Sequence, residues 1–131
     1  MRLDILNRGY RPGTKVVFAL IRVFSGHPVP DAAKLVFYRP GFYGDRSKAF
    51  THEAMRGPSA WSVADRELMA AFVSKVNESA FCISAHTATA GQAYQDSAKV
   101  QAVLTDLDSA PVEDGLRATL RMLSQLTREG T

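Results

Sequence analysis

From Ser79 to Gln95 the chain carries no Asp, Glu, Lys or Arg. A 17-residue gap of this kind, in a protein with 22% charged residues, narrows what the chain can become. It is no membrane span, because Ser84, His86, Thr87, Thr89 and Gln92 break up the apolar residues, and spanning takes about 20 predominantly apolar positions. Ala80, Ala85, Ala88, Ala90 and Ala93 favour helix. Thr87, Thr89 and Gly91 do not, so packing must hold the second half. The expectation is a helix buried within the fold.

The segment before it has a clearer start. Ser62 is an N-cap residue type, with Asp65 three positions on, as in a capping box. Leu68, Phe72 and Val76 recur at i, i+4 and i+8, with Met69 and Val73 beside them, which is amphipathic-helix spacing. This helix should reach about Asn77. Glu67, Ala70, Ala71 and Ser74 lie opposite, and apart from Glu67 they are small. A second helix can therefore approach closely, and cover on both sides is expected. Trp61, just before the cap, fits a hydrophobic staple.

Upstream, residues 14–25 are apolar on more than one side, which predicts burial or a subunit interface. Pro28 and Pro30 end that region, and a short helix follows to about Tyr38. Pro40-Gly41 reads as a turn. A helix from about Asp45 to Arg56 is stopped by Gly57-Pro58. Downstream, residues 97–105 read as helix. Pro111 marks the next start, and Leu116, Leu120, Leu123 and Leu126 form the stripe of a last helix ending near Arg128. No segment alternates with period two between hairpin turns. The fold class is all-α.

At 131 residues a single domain, 1–131, is expected. Residues 1–66 carry eleven Lys/Arg against five Asp/Glu, and residues 67–131 carry five against eight. The basic residues are scattered rather than gathered in a stripe, which argues against a nucleic-acid partner. The single cysteine rules out an intrachain disulfide. The first eight residues lack the apolar core of a signal peptide. The reading is a soluble cytoplasmic protein that binds neither nucleic acid nor membrane.

Ser79, Cys82 and His86 fall at i, i+3 and i+7, on one face of a helix. Cys82 and His86 are one turn apart, within side-chain reach. An imidazole beside a thiol is a standard means of populating the thiolate nucleophile. Ser79 could donate a hydrogen bond to it. A free cysteine also commonly just packs, and a lone histidine on an apolar helix is often a satisfied core residue. One Cys and one His fall short of a four-ligand zinc site, so no metal or cofactor is expected. His52 reads as a surface residue and His27 as a loop residue. Arg39, Arg46 and Arg56 could attract an anion, without specific spacing.

The run Ser62 to Ala70, followed by Val73 to Asn77 and Cys82-Ile83-Ser84-Ala85-His86, resembles the core of the carboxymuconolactone decarboxylase / alkylhydroperoxidase D superfamily. That pattern is Glu, eleven residues, Cys-x-x-Cys, three residues, His. Here Glu67 is followed by eleven residues, then Ser79-Ala80-Phe81-Cys82, three residues, then His86. Tyr38-Arg39-Pro40-Gly41-Phe42, Met55-Arg56-Gly57-Pro58-Ser59 and Asp108-Ser109-Ala110-Pro111-Val112 are similar to peroxidase-related members. The resemblance implies a compact helical domain of about six or seven helices and a trimeric or hexameric assembly. It also implies that Cys82 attacks a hydroperoxide, that Glu67 and His86 relay the thiol proton, and that position 79 resolves the sulfenic acid. Ser79 departs from the family there, because it cannot form a disulfide. A turning-over peroxidase would then need an external thiol or protein reductant. The alternatives are a carboxymuconolactone-decarboxylase-like lyase, which needs cationic side chains to hold its substrate, and a catalytically silent oligomeric member. Peroxidase-related members continue beyond the last helix, so the chain is expected to be a short or truncated one.

Overall fold

The structure is a computed structural model that describes residues 9–26, 28–38 and 40–130. His27 and Arg39, singled out above, lie outside them, as does the signal-peptide reading of the first eight residues. Among the described residues there are seven helices and no strand, so the all-α expectation holds. They divide into two compact units after His52.

The first unit contains α1 (Pro12–Ser25), α2 (Asp31–Tyr38) and most of α3 (Pro40–Arg56). Pro12 sits in the first turn of α1, where its missing N–H costs nothing. Gly26 ends the helix at φ 71°, the left-handed conformation that glycine adopts without a Cβ penalty, and its N–H bonds Arg22 O. Edge-to-face ring contacts join Tyr10 to Phe18 at 5.0 Å and Phe18 to Phe37 at 5.3 Å. Most of the apolar residues of α1, Val16, Val17, Leu20, Ile21, Val23 and Phe24, are nevertheless exposed. Among the described residues, burial of this helix within its own chain, one of the two expectations for it, is not found. Pro40 and Gly41 open α3 rather than forming a turn, so the helix starts five residues earlier than expected. Proline signals both a turn and a first helical position, and the sequence alone does not separate them.

The second unit carries α4 (Val63–Val76), α5 (Ala80–Tyr94), α6 (Ser97–Thr105) and α7 (Asp114–Glu129), with α4 packed against the other three. The expected cap is present. Ser62 Oγ accepts from Asp65 N at 3.0 Å, and Asp65 Oδ2 accepts from Ser62 N at 3.0 Å. Ala64, Glu67, Leu68, Ala71 and Phe72, at i, i+3, i+4, i+7 and i+8, form one buried stripe along α4, while Ala70 and Ser74 are half-buried, so the expected full cover on two sides is not found. Val100, Val103, Leu104, Ala110, Leu116 and Leu120 complete the core. Trp61 packs against that core, while the N4 position, where a staple would find its partner, is Arg66. Arg66 Nη1 instead donates to the carbonyls of Ala54 and Gly57, tying the end of α3 to α4. The α6–α7 link is held by Arg117, whose guanidinium donates to the carbonyls of Leu107, Asp108, Ala110 and Val112. The last helix starts three residues after Pro111, with Glu113 as N-cap.

The charge-free stretch does form a helix, α5, but only Ala90 and Gly91 are buried; Phe81, Ser84, Ala85 and Ala88 are exposed. The expectation of a buried helix is therefore corrected. An exposed alanine adds little apolar surface and has the best helix propensity, so absence of charge here reflects small residues more than burial.

Two features lock α4 to α5. The link is short, Asn77 to Ser79, with Glu78 at φ 54° and Ser79 N bonded to Ser74 O at 2.9 Å. At the far end Tyr94 Oη donates to Asp65 Oδ1, and Lys99 Nζ lies 4.3 Å from the centre of the Tyr94 ring. Burial first, and then the Asp65 hydrogen bond, raise the Tyr94 hydroxyl above its ordinary value of 10. A group raised in the folded state stabilises it below the unfolded value and loses that contribution as pH rises through the folded value. Alkaline melting should thus steepen beyond about pH 10. Tyr94→Phe should cost about 1.5–3 kcal/mol near neutrality, the range for a hydrogen bond to a charged group. It should also flatten the decline of Tm between about pH 9 and about pH 11. A variant that melts in parallel with the parent across that range would show that the hydroxyl does not couple to folding.

Candidate active site

The hairpin geometry brings Glu67 to His86. Glu67 lies ten residues before the link, about 15 Å along α4, and His86 lies seven residues after it, about 10 Å along α5, at a rise of about 1.5 Å per residue. Because the two helices run back on each other, the side chains are level enough to bridge. His86 Nδ1 and Glu67 Oε2 are 2.7 Å apart. The other carboxylate oxygen, Oε1, is 2.5 Å from Arg56 Nη2 on α3. Arg56 Nη1 donates to Met55 O at 2.9 Å.

The Glu67 side chain is 4% exposed, against 34% for His86 and 40% for Arg56. A buried carboxylate is costly unless paired, and here both oxygens are. Burial pushes the Glu67 carboxyl up, but the bonds from His86 and Arg56 outweigh it and hold the group below its ordinary value of 4.5. Its contribution to stability is therefore present above the ordinary glutamate range and lost as pH falls beneath it. Acid weakens both bonds at once.

Nδ1 is engaged by a carboxylate, so the neutral imidazole carries its proton there and leaves Nε2 as an acceptor. Cys82 sits one turn before His86 on the same helix and is partly buried. It is also the third residue of α5. The first turn of a helix presents unsatisfied N–H groups and the positive end of the macrodipole, which favour negative charge. Sequence reading had the Cys82–His86 spacing but not this position, which depends on where the helix begins.

Ser79 is the N-cap of α5, and its side chain makes no capping hydrogen bond. It precedes the helix proper instead of lying on its face. Among the described residues no hydrogen bond joins Ser79 or Cys82 to the Glu67–His86 pair. Arg56, read from sequence as a diffuse attractor of anions, is the member of this cluster that the sequence placed least well. Its partner is an internal carboxylate, and its charge beside Glu67 disfavours a metal cation there. Among the described residues no group of three or more His, Cys, Asp or Glu is gathered as a metal site. His52 and Arg46 are exposed.

An open groove of about 710 Å³ runs between the end of α4, α5 and α6, lined by Lys75, Ile83, Thr87, Gln101 and Leu104 among others. Neither Cys82 nor His86 lines it. No described helix is long and apolar enough to cross a membrane.

Several comparisons bear on this arrangement. A crystal structure of an uncharacterized peroxidase-related protein from Silicibacter sp. TM1040 superposes with a TM-score of 0.75 at 24% identity. The match covers 98% of this chain and 66% of that one, so the chain spans just under two thirds of that protein. At this identity the likeness speaks to the fold. No curated protein matches the chain. Residues 43–126, which include Arg56, Glu67, Ser79, Cys82 and His86, match the carboxymuconolactone decarboxylase family. The chain belongs to the carboxymuconolactone decarboxylase family.

Proposed function

We propose that the protein reduces hydroperoxides, alkyl hydroperoxides among them, through a single cysteine served by a Glu–His relay, in an antioxidant role. The observation that carries this reading is the 2.7 Å contact between Glu67 Oε2 and His86 Nδ1, with Cys82 one turn before His86 on the same helix. Nε2 of His86 removes the Cys82 thiol proton, directly or through a water. The thiolate attacks the distal peroxide oxygen. An S–O bond forms as the O–O bond breaks, sulfur is oxidised to sulfenic acid, and the departing alkoxide takes the proton held by His86 to leave as an alcohol. With serine at position 79 and one cysteine in the chain, the sulfenic acid is reduced from outside. A first thiol displaces water and forms a mixed disulfide, and a second thiol frees Cys82.

The exposed apolar residues of α1, together with Phe81, support assembly with further copies of the chain. The lyase reading is less well supported, because the cation at the site, Arg56, is already committed to Glu67.

The test is a stoichiometric addition of cumene hydroperoxide, followed by dimedone trapping and mass spectrometry. A dimedone adduct confined to Cys82 is expected. A Cys82 left unmarked while a free thiol in the same tube is oxidised would remove the peroxidase reading.

A further inference from the structure

We infer that Arg56 is a positioning residue: by taking Oε1 of Glu67 it fixes Oε2 as an acceptor for the Nδ1 proton of His86, and so decides which ring nitrogen is left unprotonated to serve as a base. The inference rests on the peroxidase reading for its consequence, but not for its geometry. A carboxyl group with one partner can rotate, or carry a proton and donate it. Glu67 has two partners from two different helices, Arg56 on α3 at 2.5 Å and His86 on α5 at 2.7 Å, and its side chain is almost fully enclosed. An arginine can only donate. Oε1 is therefore held as an acceptor, the carboxylate is kept charged, and the proton between Oε2 and the ring belongs to Nδ1. His86 and Arg56 are the groups whose charges bear on Glu67. The buried residues that α6 and α7 contribute are apolar: Val100, Val103, Leu104, Leu116 and Leu120.

Arg56 is also held from its own side. Its Nη1 is bonded to Met55 O, and the neighbouring carbonyls of Ala54 and Gly57 are bonded by Arg66. The end of α3 is thus tied to α4 by a residue other than Arg56, which separates holding the backbone from orienting the carboxylate.

The experiment is ¹⁵N NMR of the histidine rings in the full chain at neutral pH, with His86 assigned by comparison with His86→Gln, together with the rate of Cys82 oxidation by cumene hydroperoxide. The parent should show the Nδ1–H tautomer. In Arg56→Gln the ring should move toward a mixture with Nε2–H, and the oxidation rate should fall about tenfold, the low end for loss of a group that orients a functional histidine. Arg56→Lys, which keeps a charged donor, should recover most of both. In a Glu67→Gln background, Arg56→Gln should cause no further loss. An unchanged ring pattern in Arg56→Gln, or an added loss in the Glu67→Gln background, would reduce Arg56 to a tie between helices. If Arg56→Gln does not fold, Arg56→Met retains the aliphatic stem and is read the same way. If parental Cys82 resists the hydroperoxide, the peroxidase reading fails, and the ring pattern still decides the role of Arg56.

Discussion

Glu67→Gln is expected to slow oxidation of Cys82 as severely as His86→Ala, by roughly 10²- to 10⁴-fold, the usual contribution of a positioned acid–base group. The two changes act differently. In the proposed mechanism, removing His86 removes the base. Glutamine at position 67 keeps the shape but has one acceptor and one donor end, and Arg56 Nη2 selects between them. A donor facing Oε1 demands an oxygen there. The amide NH₂ is then turned toward His86 Nδ1, which must accept, and the ring proton moves to Nε2. Nε2, the nitrogen that serves as the base in the proposed mechanism, is then protonated and cannot accept the thiol proton. Loss of the correct tautomer by an acid-to-amide change is a documented cause of large losses in hydrolase triads. The check is the second-order rate of Cys82 oxidation by cumene hydroperoxide for parent, Glu67→Gln and His86→Ala, each confirmed folded by circular dichroism. A Glu67→Gln protein that keeps parental rates would mean that Glu67 only satisfies a buried ring, and the base for Cys82 would have to be sought elsewhere.

The parts of this site that sequence could reveal are those written in short-range spacing. Cys82 and His86 are four apart on one helix, and the Ser62–Asp65 cap that starts α4 is three apart. Both follow from helix geometry. Glu67 was reached through a family pattern with fixed spacing, because its partner lies across a helix link. Arg56 stood in a stretch similar to peroxidase-related members, but that likeness gave it no partner. Its contact to Glu67 joins two helices through a loop, and a single sequence offers no rule that pairs one of many arginines with one carboxylate. The misread features have physical reasons as well. Pro40 opens a helix where proline equally signals a turn. The charge-free stretch is largely exposed because alanine serves helix formation at the surface as well as it fills a core.

The leucine stripe of α7 yields the sharpest structural expectation, because sequence treats its members alike and the fold does not. Leu120 is 0% exposed and lies in the core with Leu68 and Val100, whereas Leu126 is 61% exposed. Leu120→Ala deletes packed methyl groups and leaves a cavity, and buried Leu→Ala changes cost about 2–5 kcal/mol. In a unit of this size each kcal/mol moves Tm by about 4–8 °C, so a drop of roughly 10 °C or more is expected. Leu126→Ala removes side-chain atoms already in water, and its effect should stay within about 0.5 kcal/mol. Thermal melts of both variants at dilute concentration make the comparison directly. Equal losses would mean that Leu126 is covered in solution by something the isolated chain does not supply, and a concentration-dependent Tm would identify that cover as another copy. If only Leu120 matters, the last helix is held by its inward leucines alone. Cys82 oxidation measured well below the melting point should then match the parent in both variants, since neither leucine carries a group that the proposed mechanism uses.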